Sequence, residues 1–90
     1  MSSTSKKHRN FIAEPIRGKR VTELPGIGET LGERLSGRGY NTADKVLGQY
    51  LVMDRDRRSF ERFLRKNCNA NSKQVSDCYN GLDTWSKEFL

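Results

Sequence analysis

The run Val21-Thr22-Glu23-Leu24-Pro25-Gly26-Ile27-Gly28-Glu29-Thr30-Leu31-Gly32 decides how this chain is read. Gly26 and Gly28 flank one apolar residue, and with no Cβ at either place the backbone can turn tightly and admit another molecule close to its amides. Downstream, Ile27, Leu31 and Leu35 recur at i, i+4 and i+8, the stripe of an amphipathic helix facing a core. Upstream, residues 20–25 read as a short helix with Val21 and Leu24 turned inward and Pro25 ending it. The sum is a helix-hairpin-helix at about residues 20–36. Its second helix begins at the turn, where unpaired amides and a partial positive charge attract phosphate oxygens. Contacts of that kind hold the sugar-phosphate backbone of a duplex without reading its bases. A plain αα turn, in which the glycines only let two helices approach, is the competing reading. A dinucleotide loop is set aside, because no β-rich run precedes Gly26 and no acidic residue follows a second strand.

Charge points the same way. The 90 residues carry 17 Lys and Arg against 11 Asp and Glu, a net +6, which favours nucleic acid first and an anionic membrane second. The excess is uneven. Lys6, Lys7, Arg9, Arg17, Lys19 and Arg20 stand against Glu14 and Glu23 in residues 1–23, so most of the surplus lies beside the hairpin. No run approaches the ~20 apolar residues of a membrane span, and the N-terminus lacks the apolar core of a secretion signal, so a soluble intracellular protein is expected. Cys68 and Cys78 are too few for a disulfide framework, and His8 is too far off to complete a zinc set. Both cysteines are expected as reduced thiols, with no metal and no cofactor.

The rest of the chain reads as helices within one domain, 1–90, behind a flexible lead at residues 1–5. Lys6 to Ile12 forms a short helix burying Phe11 and Ile12, ended by Pro15. Asn41 or Thr42 caps a helix carrying Ala43, Val46, Leu47, Tyr50 and Leu51, with Gly48 inside it, where close packing is expected. Asp54 or Asp56 caps the next, with Phe60, Phe63 and Leu64 inward. Ser72 caps a longer final helix through Val75, Cys78, Tyr79, Leu82, Trp85 and Phe89. The expected fold class is all-α, a compact bundle of five or six short helices. Phe60, Phe63, Tyr79, Trp85 and Phe89 sit at helical spacing, which assigns them to a core or an oligomer seam rather than to base stacking.

Lys7-His8-Arg9 with Phe11, Ala13-Glu14-Pro15, Gly26-Ile27-Gly28-Glu29 with Leu31-Gly32, Val46-Leu47-Gly48-Gln49, Ala70 with Lys73-Gln74, and Phe89-Leu90 together resemble the barrier-to-autointegration factor family of animal cells, nearly end to end. The resemblance implies a SAM-like helical homodimer that binds double-stranded DNA without sequence preference, one duplex per subunit, and so bridges DNA. It further implies LEM-domain proteins of the inner nuclear membrane, lamins and histones as partners, and a nuclear location at chromatin and envelope with a cytoplasmic pool. By matching position, the DNA surface comprises the main chain of Gly26, Ile27, Gly28, Thr30 and Leu31, the final-helix start at Asn71 and Ser72, and the side chains of Lys7 and Lys73. Lys6 and Arg34 add charge beside them. Gly48, Gln49 and Val52, with Phe63 nearby, match the dimer and LEM-binding region. Ser3, Thr4 and Ser5 match a segment where a regulatory kinase releases the family from DNA, in keeping with the repulsion that added phosphate brings beside Lys6 and Lys7.

The sequence also departs from the family pattern. Residues 54–59 read Asp-Arg-Asp-Arg-Arg-Ser, with Ser59 where a leucine borders the LEM groove, Glu33 stands where a basic residue is usual, and Pro25 replaces a small residue. An enzyme is the first rival reading, since helix-hairpin-helix units accompany nucleases and glycosylases. The chain has no carboxylate cluster at metal spacing and no nucleophile with an evident base, so no enzymatic activity is expected. A helical protein-interaction module is the second rival.

Overall fold

In a computed structural model of the chain, which describes residues 5–90, the fold is all-α. Five helices follow in order: α1 (Lys6–Ile12), α2 (Glu29–Gly37), α3 (Ala43–Val52), α4 (Arg57–Cys68) and α5 (Ser72–Phe89), with one 3-10 turn, Val21–Glu23, ahead of α2. The 18-residue α5 is the spine, with α1 and α4 packed on it. α2 packs on α4 and on the 3-10 turn, and α3 on the same turn. An isolated bridge between Arg20 and Thr42 ties the segment before the turn to the start of α3.

Local sequence explains most helix starts. The Ser5 hydroxyl accepts the His8 amide at 3.1 Å to open α1, and the Asp56 carboxylate accepts the Ser59 amide at 2.8 Å to open α4. Asn69, left-handed at φ 58, closes α4. The final helix differs from the sequence reading: Asn71, not Ser72, is its cap. Asn71 Oδ1 accepts the Gln74 amide and Gln74 Oε1 accepts the Asn71 amide, each at 2.8 Å, a reciprocal capping box. At α3 the capping position belongs to Thr42, whose hydroxyl donates to Asp44 instead of serving a helix amide.

The helical stripes meet in one core. Leu24, Ile27, Leu35, Val46, Tyr50, Phe60, Leu64, Cys78 and Leu82 are fully buried, and each large apolar side chain so placed contributes about 1.5 to 3 kcal/mol. Of the aromatic set, Phe60 and Trp85 lie in the core, Phe63 and Tyr79 are half-buried against it, and Phe89 stacks on Trp85 at the surface with centroids 4.9 Å apart. Cys68 and Cys78 are buried and reduced, and burial pushes both thiols up, so they stay protonated. Residues 20–25 do not form the helix expected of them. Leu24 turns extended at ψ 136, as the residue before a proline prefers, and only Val21–Glu23 keep helical form, with the Glu23 carboxylate accepting the Arg20 amide at 2.8 Å.

Candidate nucleic-acid interface

The hairpin is a four-residue turn. The Ile27 amide donates to the Leu24 carbonyl at 3.1 Å across Pro25 and Gly26, and Gly26 has φ 81, the arrangement of a type II turn. Pro25 presets the first central position and Gly26 supplies the left-handed second one. A Cβ at Gly26 would also lie 2.5 Å from the Gln74 carbonyl oxygen, so α5 forbids any side chain there. Gly28 is different from the sequence reading: its backbone is extended, φ −95 and ψ −166, which any residue adopts, and a Cβ there would meet nothing within 4 Å. Its bareness keeps space open outside the protein rather than inside it.

Contacts from distant parts of the chain hold this turn in place. The buried Pro25 ring lies against Gly81 of α5, where a Cβ would come 2.7 Å from Pro25 Cγ. Thr22 fits over Gly32 of α2 in the same way, with its Cγ2 2.5 Å from the missing Cβ position. Lys7 reaches over from α1, and its Nζ donates to the Ile27 carbonyl at 2.5 Å. Burial lowers the Lys7 amine below its ordinary 10.5, with Cys78, Glu23 and Glu29 pulling it back up. Lys7 and the hairpin, 20 residues apart in sequence, therefore share one spot on the surface.

From Gly28 the chain enters α2 with no side-chain cap, and the Gly32 amide closes the first turn on the Gly28 carbonyl at 2.8 Å. The amides of Glu29, Thr30 and Leu31 precede that first helical bond and point out of the helix start. Thr30 is exposed, whereas the side chains of Ile27 and Leu31 are buried, so those two can act only through their main chain. Gly28, Glu29, Thr30, Leu31 and Arg34 line a shallow depression of about 410 Å³ together with Asn69 and Gln74. The α5 start thus borders the same hollow. Asn71, Ser72 and Lys73 are exposed but do not line it, and each has a commitment: Asn71 in the capping box, the Ser72 hydroxyl accepting Arg65 Nη2 at 3.0 Å, and Lys73 paired with Asp77 at 3.1 Å. The Lys73 pair is an exposed i, i+4 pair and holds the amine only weakly. Arg34 has a structural role besides its charge, since its Nη1 donates to the Cys68 carbonyl at 3.0 Å and finishes the end of α4. Lys6 is exposed on the first turn of α1 and lines a second hollow with Lys7, Glu14 and Lys19.

The α3 residues lie elsewhere. Gly48 and Gln49 are half-buried, Val52 is 76% exposed, and Phe63 packs edge-on to Tyr40 with centroids 5.0 Å apart. A Cβ at Gly48 would meet no atom within 4 Å, so the close packing expected there is not made within the protomer. Ser3 and Thr4 lie outside the described residues, and Ser5 caps α1.

Residues 2–89 match the barrier to autointegration factor family. The chain belongs to that family. It is 58% identical over 90 residues to the barrier-to-autointegration factor of Drosophila melanogaster, with all of both chains covered, and 51% identical over 90 residues, again covering both fully, to barrier-to-autointegration factor B of Xenopus laevis. With the barrier-to-autointegration factor of Homo sapiens it shares 48% over 88 residues, 98% of this chain and 99% of that one. The all-α architecture is the SAM-like fold of the family, and the family name denotes a factor rather than an enzymatic activity. Among the described residues no three His, Cys, Asp or Glu gather as a metal site, and no helix is long and apolar enough to cross a membrane.

Several residues that shape the site escaped the sequence reading. Gly81 makes room for Pro25, Gln74 both completes the capping box and crowds Gly26, and Arg65 bonds Glu61 and Ser72 to brace the α4–α5 corner. Gly81 lies inside a helical stripe, where a glycine is a signal of close approach that could have been followed.

Proposed function

We propose that this chain is a sequence-independent double-stranded DNA-binding protein that works as a homodimer, each subunit holding one duplex. The observation that carries the reading is the bare start of α2 behind Gly28, with the Lys7 amine held against the Ile27 carbonyl beside it. Unpaired amides and a cation within one small patch fit phosphate oxygens, and they offer nothing that distinguishes one base from another. The net +6 supplies long-range attraction for a polyanion.

Bridging follows from symmetry: one hairpin per subunit becomes two on a two-fold dimer, and long DNA gains avidity. Gly48, Gln49 and the exposed Val52 on α3 form the dimer and partner face, with Phe63 beside them. Through that face the dimer links chromatin to LEM-domain proteins and lamins of the nuclear envelope, with histones as further contacts. The working location is the nucleus, with a cytoplasmic pool. Phosphorylation of Ser3, Thr4 or Ser5 by a regulatory kinase would place about −1.5 to −2 charges beside Lys6 and Lys7 and release DNA.

Two differently labelled duplexes mixed with the protein should be captured together, and the mass in solution should be that of a dimer. Gly48→Glu should give a monomer by sedimentation that still binds one duplex and no longer joins two. A dimer that persists in this variant would remove α3 from the interface, and a parent protein that shifts no random-sequence duplex at low salt would end the DNA reading.

A further inference from the structure

We infer that the DNA-binding surface continues past the hairpin across the C-terminal ends of α2 and α4, where Arg38, Lys66 and Arg62 follow the phosphodiester backbone of the same duplex. The inference rests on the hairpin reading above and extends its footprint. A second depression of about 410 Å³ includes Glu33, Arg34, Arg38, Lys66 and Asn69, and it shares Arg34 and Asn69 with the hairpin hollow, so the two are neighbours on the surface. From Lys66 the cations run on along α4: Arg58, Arg62 and Lys66 are exposed at spacings of four, one stripe of the helix. At 1.5 Å per residue the stripe spans about 12 Å, over which one strand of a duplex presents three or four phosphates at about 3.4 Å of axis each.

The cations of this track keep their charge available. Lys19, Arg65, Lys73 and Lys87 each pair with a carboxylate, whereas among the described residues Arg38, Arg58, Arg62 and Lys66 form no ion pair, and Arg62 donates only to the Ser59 hydroxyl at 3.3 Å. The acidic groups nearby are Glu33 on the depression, Glu29 on the hairpin hollow, Glu61 on α4, which pairs with Arg65, and Asp56, whose carboxyl is held below its usual range first by the Ser59 hydrogen bonds and then by Arg62 and Arg58. Helix stability explains part of the pattern, since Lys66 and Arg38 sit at helix C-termini, where cations are favourable. It does not explain Arg58, which occupies a first turn that holds no acidic residue and where cations oppose the helix dipole, whereas its neighbour Arg57 stacks over the Tyr79 ring, 5.1 Å from the centroid. The stripe Arg58, Arg62, Lys66 is wholly charged, unlike the Val52 surface of α3, and this favours a polyelectrolyte over a protein partner.

The test measures duplex affinity against salt for the dimeric parent protein, for Arg38→Gln/Arg62→Gln/Lys66→Gln, and for Lys45→Gln/Arg55→Gln/Lys87→Gln. The last variant neutralises three cations outside both depressions and takes the net +6 to the same +3. The first variant should show a log–log salt slope shallower by about 2 to 3, near 0.9 per lost phosphate contact, with the control close to the parent. Equal slopes for the two variants would overturn the inference, as would unchanged duplex binding accompanied by loss of binding to polyglutamate, which would assign the track to an acidic protein. Gly28→Glu measured alongside separates the two ideas. If it loses the duplex while the track variant matches its control, the hairpin reading stands and the extension falls; if it binds as the parent does, the hairpin reading itself fails.

Discussion

The starts of α2 and α5 open onto one depression and are finished in opposite ways. At α5 the side chains of Asn71 and Gln74 satisfy each other's amides, so that only those of Ser72 and Lys73 stand open before the first helical bond, from Val75 to the Asn71 carbonyl at 2.9 Å. At α2 the capping position is a glycine with no side chain, and the amides behind it are left to whatever comes from outside. Its geometry is enforced instead by residues 7, 22, 74 and 81. A helix end that is not satisfied locally needs tertiary support, and the support here comes from three other parts of the chain. That construction suits the phosphate contact proposed for α2.

The largest effect is expected at Gly26. Gly26→Ala forces a side chain into a left-handed conformation and against the Gln74 carbonyl, and strain of this kind costs about 3 kcal/mol or more. The melting temperature should fall by about 10 °C or more. Gly28→Ala, on an ordinary extended backbone with open space around it, should stay within about 0.5 kcal/mol of the parent. Similar losses in both would mean that the two glycines do one job, and the hairpin would be a packing turn only.

Gly28→Glu asks the functional half of the question. The fold has room for the side chain, but a carboxylate would stand where phosphate is proposed to bind, and like charges brought together at an interface cost several kcal/mol. Duplex affinity should fall by a factor of about 100 or more with the helical circular dichroism unchanged. A folded variant that binds normally would show that the bare amides of α2 are not used.

The hairpin was legible because its determinants are neighbours: Pro25 beside Gly26 spells the turn, and Ile27, Leu31 and Leu35 spell the helix that follows. What was not legible depends on pairs far apart in the chain. Nothing near Gly28 says that its backbone is extended, and nothing near Gly81 says that the Pro25 ring, 56 residues earlier, will lie on it. Arg34 reads as spare charge until the end of α4 arrives beside it. The first element of the hairpin shrank to a 3-10 turn because a proline next door outweighs two inward apolar residues in so short a run. The same contrast separates Asn71 from Ser72: both are good caps by type, and the reciprocal partner three residues on, Gln74, decides for Asn71.

At the self-satisfied helix start the expected effect is smaller. Asn71→Ala removes the acceptor for the Gln74 amide and should cost about 1 kcal/mol in chemical denaturation. Because Asn71 Oδ1 and Gln74 Oε1 are committed to each other's amides, the loss should appear in stability first, with duplex affinity of the folded protein changing far less than in Gly28→Glu. An equal loss of binding would place the α5 cap inside the contact surface and erase the distinction between the two helix ends.

The finest test lies in the proton on Lys7. Burial holds its amine below 10.5 in the free protein, and a phosphate brought to the hairpin would favour the charged form, so the bound state should hold that proton more tightly. Duplex affinity should therefore fall as pH rises through the lowered value, before lysines in general titrate, by less than about tenfold per pH unit for one proton. Stability should move the other way in the same window. The unfolded chain binds this proton up to 10.5 while the folded one has begun to release it, so the contribution of Lys7 to folding improves as pH rises from the lowered value towards 10.5. Arginine stays charged throughout, so Lys7→Arg should lose the early fall in affinity. If parent and Lys7→Arg trace the same pH curve, the Lys7 amine belongs only to the Ile27 carbonyl and not to the DNA.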